Sequence, residues 1–515
     1  MINLGKRFRN VWLKRTIKHC LLILGICCLC SLLIVVTSGN NHAVSAQSID
    51  PLKLHVLNRL SFGPRPGDIE HIQNIGIDAY IQEQLSPQSI KQSSELQQKL
   101  DRIPTFNLSA VQMLRTHLPK PKEGKKLSLR ERRQFRRRSR NIKVAAIKAR
   151  LLQATESPKQ LEEVMVDFWF NHFNVYANKR LNNLLIGSYD DRALRPYALG
   201  NFRDLLFAAA KHPAMLSYLD NISNQAPHPR HPKWGINENY ARELLELHTL
   251  GVEGGYTQAD VIALAKILTG WQRMPSKQLE TADLNDNGFY FNPKTHDFSD
   301  KIFLNQKIMG SGEAEGDYVL ELLARHPATA RHISYKLAQY FVSDNPPETL
   351  VKQLSQVFLA SNGNIKTVLE TLFHSQEFRD PRYFHQKFKT PYQFVISAIR
   401  AANLSISHTS RLNGILEQMS MEIYGCLSPN GYPNTASFWL NPDALLRRLD
   451  FSQIMARKNI PFLTANSSDT LPLRKQDLYK TLGHAFSDNT HNVITDSPTS
   501  KQAMLIFGSP EFMYR

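Results

Sequence analysis

The sequence predicts an all-α protein with a small β-hairpin. Apolar residues recur at intervals of three and four along much of the chain, which is the period of an amphipathic helix. Strand-like alternation of apolar and polar residues is scarce by comparison. At 515 residues with 42% hydrophobic content, the chain is long enough to bury a substantial core. We therefore expect a multi-helix globular body.

The first element is predicted to be a secretory signal peptide over residues 1–46. Six basic residues without an acid precede the apolar run from Leu21 to Val36, and Val44 and Ala46 then stand as small residues before a cleavable bond. This three-part layout is typical of exported chains. The alternative is an uncleaved N-terminal membrane anchor, because the apolar run is longer than the usual signal core. Either interpretation places the rest of the chain in the periplasm or the extracellular space.

Cysteine usage narrows the classes of site that the mature chain can hold. Four of the five cysteines fall within residues 1–46, and only Cys426 remains after them. One cysteine cannot form an intramolecular disulfide, and it cannot supply a cysteine-rich zinc site. A disulfide framework and a cysteine-rich zinc site are therefore both excluded for the mature chain.

The domain organisation is predicted from composition. Residues 47–118 are expected to form an N-terminal helical lobe and residues 141–515 the main helical domain, with a basic, disordered insertion at 119–140. Residues 119–150 carry 14 lysines and arginines against two glutamates, and such a run is typical of a solvated or disordered segment. In an exported protein its partner would be anionic lipid or acidic envelope polysaccharide. A nucleic-acid partner is not expected.

The apolar period marks ten helical segments in the mature chain. They cover residues 68–84, 142–170, 202–219, 238–250, 258–271, 317–342, 347–360, 364–374, 389–403 and 441–455. Thr257 opens a capping-box pattern, and Asn237 can cap the helix that follows it. The run from Phe289 to Ile308 has two short strand-like stretches around a polar turn, which predicts the hairpin.

The block DFWFNHF is the first candidate for a site. It places Asp167, Asn171 and His172 among four aromatic residues. Asp167 and Asn171 lie one helical turn apart, and His172 lies on an adjacent flank. Polar groups buried in such a run either form an internal hydrogen-bond network or line a pocket, and both alternatives remain open.

The helix from Glu238 is the second candidate. At 100° per residue, Glu243 and Glu246 share its polar face, while His248 lies on its apolar face. A zinc helix of the HExxH type is excluded, because it needs two histidines one turn apart. A ferritin-like carboxylate site also fails, because it needs Glu-x-x-His on two helices. The alternative is a helix that anchors the core and bridges to its neighbours.

The hairpin turn is the third candidate, with His296 and Asp297 side by side and Lys301 after them. A loop histidine beside a carboxylate can bind a metal or transfer a proton. The alternative is an Asx-type turn in which Asp297 bonds the nearby backbone.

We hypothesise that the candidate side chains converge on one catalytic pocket. Carboxylates with imidazoles suit a divalent ion such as zinc, manganese or iron, which could activate water for hydrolysis. The candidate residues are Asp167, His172, Glu243, Glu246, His248, His296 and Asp297.

The chain resembles the bacterial domain of unknown function 1800 family. The blocks that carry the resemblance come in the family's order and span nearly the whole mature chain. They are HVLNRLSFGPRPGD (His55 to Asp68), VMVDFWFNHFNVY (Val164 to Tyr176), NENYARELLELHTLGV (Asn237 to Val252), YTQADVIALAKILTGW (Tyr256 to Trp271), FNPKTHD (Phe291 to Asp297), HPATARHISYKLAQYFV (His326 to Val342), SPNGYPNTASFWLNPDALLRR (Ser428 to Arg448) and GSPEFMYR (Gly508 to Arg515).

The resemblance implies an exported, mostly helical bacterial protein. It also implies a partner, since the family is often encoded beside a second family that looks sulfatase- or phosphatase-like. Two positions depart from the family pattern: Tyr432 stands where a tryptophan is usual, and His332 where an apolar residue is usual. The second departure argues against a general role for His332.

Two functions from different classes follow from these observations. The first is an exported envelope protein that hydrolyses an envelope polymer in a His/carboxylate pocket, with a divalent metal as its cofactor. The second is a non-catalytic binding or assembly protein that holds acidic lipid or polysaccharide through its basic segment. The GxSxG elbow, the Walker loop and the dinucleotide glycine fingerprint are absent from the sequence.

Overall fold

The computed structural model describes residues 49–119, 126–465, 472–483 and 485–515. The predicted signal peptide or anchor and residues 120–125 of the basic insertion lie outside the described residues. Within the described ranges, no helix combines the length and the apolar character that crossing a membrane requires.

Helices dominate the described part of the chain, as the apolar period predicts. In chain order they are α1 Pro51–Leu60, α2 Asp68–Ile75, α3 Ile77–Gln84, α4 Ser94–Asp101, α5 Ala110–His117, α6 Leu129–Glu156, α7 Gln160–His172, α8 Asn182–Ser188, α9 Phe202–Lys211, α10 Pro213–Tyr218, α11 Asn239–Glu243, α12 Gln258–Ile267, α13 Ser276–Leu279, α14 Glu313–Ala324, α15 Pro327–Phe341, α16 Glu348–Ala360, α17 Ile365–His374, α18 Gln376–Arg379, α19 Pro391–Ala401, α20 Thr409–Gln418, α21 Ala436–Trp439, α22 Pro442–Met455, α23 Lys475–Leu482, α24 Asp488–Asp496, α25 Thr499–Gly508 and α26 Pro510–Met513.

Six short strands form three antiparallel pairs. The strands are β1 Trp271–Arg273, β2 Phe289–Phe291, β3 Lys301–Phe303, β4 Gln306–Ile308, β5 Leu404–Ile406 and β6 Leu463–Ala465, and the pairs are β1 with β2, β3 with β4 and β5 with β6. The fold class, mostly α-helical with a small β-hairpin, is confirmed.

The hairpin differs from the prediction in its pairing. It joins β3 to β4 through Leu304 and Asn305, whose φ angles of 47° and 59° are those of a type I′ turn. The stretch Phe289–Phe291 pairs instead with Trp271–Arg273. The two strand-like stretches therefore belong to different sheets.

Four of the predicted helical segments are each broken into two helices. The breaks fall at Gly76, Pro158, Pro213 and Pro327. Proline removes a backbone donor and its ring clashes with the preceding turn, so a helix ends before each of the three prolines. Pro213 and Pro327 lie in the first turn of the next helix, whereas Pro158 precedes the N-cap of α7. The apolar stripe continues across each break because both halves pack on the same core.

The basic segment is helical where it is described. Ser128 and Glu131 form a capping box at the start of α6, which runs unbroken to Glu156. Its second half buries Ile147 and Leu151 in the core, so packing there supports the exposed first half. The expectation of a disordered insertion is therefore corrected for residues 129–140.

The described residues between Ile49 and Arg515 form one compact unit with one main core. Side chains of α1, such as Leu57, belong to the same apolar cluster as Phe394 of α19 and Phe512 of α26. The predicted lobe at 47–118 and the predicted main domain at 141–515 thus share this core over their described residues.

Candidate functional site

A small polar cavity lies between α7, α15 and the segments around Thr390 and Tyr432. Its volume is about 50 Å³. A second cavity of about 30 Å³ shares Asp167, Asn171, Met421 and Tyr432 with it. The first is lined by Asp167, Phe168, Asn171, His172, Lys336, Gln339, Tyr340, Thr390, Gln393, Met421, Tyr432, Pro433 and Asn434.

Helix α7 brings its three predicted polar residues to this cavity. Trp169, on the opposite side, is fully buried and donates its indole N–H to the carbonyl of Ala198 at 2.9 Å. That anchor fixes the rotation of the helix, so Asp167, Asn171 and His172 all line the cavity wall.

Asp167 is held by a buried arginine. The Arg150 guanidinium donates to Asp167 Oδ1 at 2.7 Å and to Asp190 Oδ2 at 2.8 Å. The Tyr424 hydroxyl also donates to Asp190. Burial raises the pKa of the Asp167 carboxyl, and the Arg150 charge opposes that rise.

Asn171 has a structural role at the rim. Its amide donates to the carbonyl of Tyr432 at 2.8 Å, and its Oδ1 accepts from the backbone N–H of Tyr432 at 2.7 Å. Gly431, with φ of +73°, approaches so closely that a Cβ there would lie 2.2 Å from the Asn171 carbonyl oxygen. The Gly431-Tyr432 turn is therefore clamped against α7.

His172 links α7 to a lysine on α15. Lys336 Nζ donates to His172 Nδ1 at 2.9 Å, and His172 Nε2 donates to the carbonyl of His248 at 3.1 Å. Burial and the Lys336 charge hold the pKa of His172 well below its usual range, so the ring is neutral and can accept at Nδ1.

Lys336 stands out among the residues of this site. Burial lowers its pKa to about 8. Within the described residues, no carboxylate lies at ion-pair distance from Nζ. A lysine in this state exchanges protons near neutral pH.

A π-helical turn brings a second histidine, His248, next to His172. Residues Leu244–His248 continue α11 as a π-helix, and a single-turn π-bulge of this kind is frequent at functional sites. The His248 ring lies 6.1 Å from that of His172 and 5.2 Å from that of Phe173. Burial lowers the pKa of His248 to about 3, so it is neutral as well.

The two glutamates of the same helix lie elsewhere. Glu246 is 3.5 Å from Arg242 and bonds the Tyr256 hydroxyl, and both glutamates are partly exposed. Burial and the neighbouring Glu246 raise the pKa of Glu243. Neither residue lines either cavity.

His296 and Asp297 also lie apart from the cavity. His296 bonds Glu315 at 2.8 Å and the carbonyl of Thr269 at 2.8 Å, and Lys301 bonds the same glutamate at 2.6 Å. Asp297 accepts from the backbone N–H of Ser299 at 2.9 Å, which is the Asx turn named as the alternative. This buried network ties the loop before β3 to α14.

Of the seven candidates, the structure therefore places Asp167 and His172 on the cavity wall and His248 in contact with His172, and it leaves the other four elsewhere. Among the described residues, no group of three or more histidine, cysteine, aspartate and glutamate side chains is placed to hold one metal ion.

Lys336 and Arg150 belong to the site but were not predicted. Lys336 lies one turn after His332 and one turn before Tyr340, among the buried Ile333 and Leu337. A lysine next to an apolar helix stripe is a recognisable signal. Arg150 gives a weaker signal, because it ends a run of basic residues that are mostly exposed.

Comparison with known proteins assigns the family. No curated protein and no solved structure matches the chain. The family described as "Protein of unknown function (DUF1800)" matches residues 55–514, which is nearly the whole chain. The chain therefore belongs to this family, as the resemblance of its sequence blocks implied.

Proposed function

We propose that the protein is exported to the cell envelope and hydrolyses an envelope polymer at the Asp167–Lys336 cavity. One observation carries the proposal. Lys336, for which the described residues supply no carboxylate partner, is bonded to a neutral histidine at 2.9 Å, on the wall of a cavity that also contains an aspartate. The export part rests on the signal pattern of residues 1–46.

The two titratable residues would divide the proton transfers between them. Asp167 accepts a proton from a water molecule as that water attacks the polymer. The bond to the leaving oxygen breaks, and this oxygen takes a proton from the Lys336 ammonium. Solvent then carries the proton from Asp167 to Lys336, so one water is consumed and both groups return to their starting state.

His172 would act as a positioning residue. Its neutral ring accepts from Lys336 and its other nitrogen is tied to the carbonyl of His248, so the lysine head is held in one place. Because the pKa of Lys336 is about 8, activity that needs its proton falls as the pH rises through that value.

The size of the cavity fits a role at the reacting bond. Roughly 10–15 Å³ of space open to a water-sized sphere suffices for one water. At about 50 Å³, the cavity holds a few waters or one small group of a polymer, and the remainder of the polymer would lie outside.

The experiment is hydrolysis of isolated envelope fractions by the full-length protein. We expect Asp167→Asn and Lys336→Met each to lower the rate of product release at least about 100-fold, which is the usual contribution of a general acid or base. Asp496→Asn and Lys352→Met, at exposed positions, serve as matched controls. Equal rates in all five proteins would refute the proposal.

Elemental analysis addresses the metal-dependent version of the hydrolase. The protein would be purified without chelator or nickel, alongside a His172→Ala variant. Stoichiometric metal that disappears in the variant would mean that a metal ion activates the attacking water by lowering its pKa, with Asp167 or solvent taking the proton.

A second candidate function is binding of a polyanion by the first half of α6. Seven arginines lie on its exposed surface: Arg130, Arg132, Arg133, Arg136, Arg137, Arg138 and Arg140. None of them forms an ion pair within the described part of the chain. A helix with this charge would hold anionic lipid or acidic polysaccharide in a salt-sensitive manner.

A further inference from the structure

The cavity wall offers several hydrogen-bond donors. The Lys336 ammonium uses one of its three protons on His172. The hydroxyls of Tyr340 and Thr390 each accept a bond, from Gln393 Nε2 and from the Gln393 backbone, at 3.1 and 3.3 Å. Within the described residues neither hydroxyl has an acceptor for its own proton. These protons are free to bond a ligand.

The charge of the one carboxylate of the wall is partly offset by an arginine. Asp167 is paired with Arg150 at 2.7 Å, and the same guanidinium also pairs with Asp190. His172, His248 and His332 surround Lys336, and burial lowers the pKa of all three, to about 3 for His248 and about 4 for His332. The charge that Lys336 carries when protonated is thus not neutralised by the groups around it.

A buried cationic cluster lies behind this wall. We use that name for Arg59, Lys387, Lys389, Arg448 and Arg515, all of which are buried. Within the described residues, the only ion pair recorded for these five joins Lys387 to Asp344. Burial lowers the pKa of Lys387 to about 8 and that of Lys389 to about 7, so near neutral pH the positive charge of this region is carried mainly by its arginines.

The cluster contacts the cavity lining directly. The Arg515 guanidinium lies 4.4 Å over the Tyr340 ring, and Lys387 donates to the carbonyl of Asn434 at 2.8 Å. Lys389 precedes Thr390 in the chain. Because the surroundings are poorly hydrated, the positive potential is weakly screened and extends into the cavity.

We propose that the cavity binds an oxyanion, a carboxylate, sulfate or phosphate group, between Lys336, Tyr340 and Thr390. As to substrate, this inference rests on the proposed function: the polymer would be an anionic one whose charged group enters the cavity. The volume of about 50 Å³ admits such a group without its carrier.

Binding would take up a proton. An anion beside Lys336 raises the pKa of its ammonium above the value of about 8 in the free protein. The bound state therefore holds more protons than the free state at pH 8, and the affinity falls as the pH rises through this range.

The test is binding by the full-length protein of formate, sulfate and phosphate, against chloride at equal ionic strength. Thermal stability gives the affinity, and calorimetry in two buffers of different ionisation enthalpy gives the proton uptake. We expect Lys336→Met to weaken binding at least about tenfold, Tyr340→Phe to weaken it less, and Lys352→Met to leave it unchanged. Formate acting alone would indicate a carboxylate ligand, and sulfate or phosphate a tetrahedral one.

The outcomes separate this inference from the proposed function. Stabilisation that persists unchanged in both Lys336→Met and Tyr340→Phe would be the general effect of the salt, and the inference would be wrong. The same holds if none of the three anions exceeds chloride. Specific anion binding without hydrolysis of any envelope fraction would leave the inference standing and overturn the proposed function.

Discussion

Lys389 shows how a single buried cation ties stability to pH. Its ammonium donates to Ser397 Oγ at 3.0 Å and lies 4.0 Å from the Phe512 ring centroid. Burial, followed by the charges of Arg515 and Arg448, lowers its pKa to about 7. In an unfolded chain a lysine has a pKa of about 10.4. The native state therefore releases this proton at lower pH than the unfolded state does.

The sign of the effect follows from proton counts. Between about pH 7 and pH 10 the unfolded chain binds more protons at Lys389, so this residue makes the protein more stable as the pH rises. Below pH 7 both states are charged, and the native state bears the full cost of burying the charge. We expect Lys389→Met to raise the free energy of unfolding at pH 6.

Urea denaturation at pH 6 and pH 9.5 checks this prediction. The gain from Lys389→Met should shrink at the higher pH, and the exposed Lys352→Met should change little at either. A variant less stable than the natural protein at pH 6 would mean that the contacts with Ser397 and Phe512 outweigh the burial cost.

At the residue scale, helical geometry located part of the site. The turn-by-turn spacing of Asp167 and Asn171 predicts a shared face, and both residues line the cavity. The position of Lys336 beside an apolar helix stripe is visible in the sequence, but its role is not. That role depends on His172 of another helix and on the absence of a carboxylate partner among the described residues, and both result from tertiary packing.

At the scale of elements, the exposed half of α6 carries a prediction of its own. Each basic residue near an anionic surface contributes about 1 kcal/mol to binding. Replacing Arg133, Arg136 and Arg137 with glutamine should therefore weaken binding to anionic vesicles about 100-fold at low salt.

The control and the salt dependence make the α6 test selective. Arg411, Arg447 and Arg457 are exposed arginines outside α6, and their replacement by glutamine should have little effect. Binding of the natural protein should weaken steeply from 50 mM to 300 mM salt, because screening shortens the range of exposed charges. Equal loss in both triple variants would point to net charge rather than to α6.

Helix boundaries and turns show the limits of sequence periodicity. The apolar stripe predicts where helices lie, but Pro213 and Pro327 start new helices inside a continuous stripe. The π-helical turn at Leu244–His248 adds a residue that a constant 100° step does not include. The predicted burial of His248 is nevertheless correct, since the residue lies where the helix meets the core.

At the scale of the whole molecule, both ends of the described chain meet at the end of α15. Arg59 donates to the carbonyl of Val342, and Arg515 donates to that of Tyr340 at 2.9 Å. The backbone of Met513 and Arg515 pairs with Lys389 and Lys387. Formal charge along the chain gave no sign of this cationic cluster, because its members are far apart in the sequence.

Because the two ends pack together, we expect the loss of a buried side chain near residue 515 to destabilise the whole unit and not only the last helices. Phe512 is buried and packs 5.7 Å from Phe394 and 5.1 Å from Phe507. We expect Phe512→Ala to lower the free energy of unfolding by about 3–5 kcal/mol. The slowest amides of α1 should then exchange faster by the same factor as those of α15.

Hydrogen exchange read by mass spectrometry checks the prediction. Phe438→Ala, at an exposed position, is the matched control and should leave the slow amides unchanged. Faster exchange confined to α25 and α26 would show that the end of the chain opens alone, as a local unit.

Under the export proposed above, the junction of the two ends at α15 would also set an order of events during passage across the membrane. Arg515 lies against Tyr340, which lines the cavity, so this support of the wall would be in place only after residue 515 has crossed. During passage, the emerged portion would lack this wall and could not bind or cut a polymer. The cavity would thus form only after the last segment has been exported. An unfolded precursor kept in the cytoplasm would be inactive.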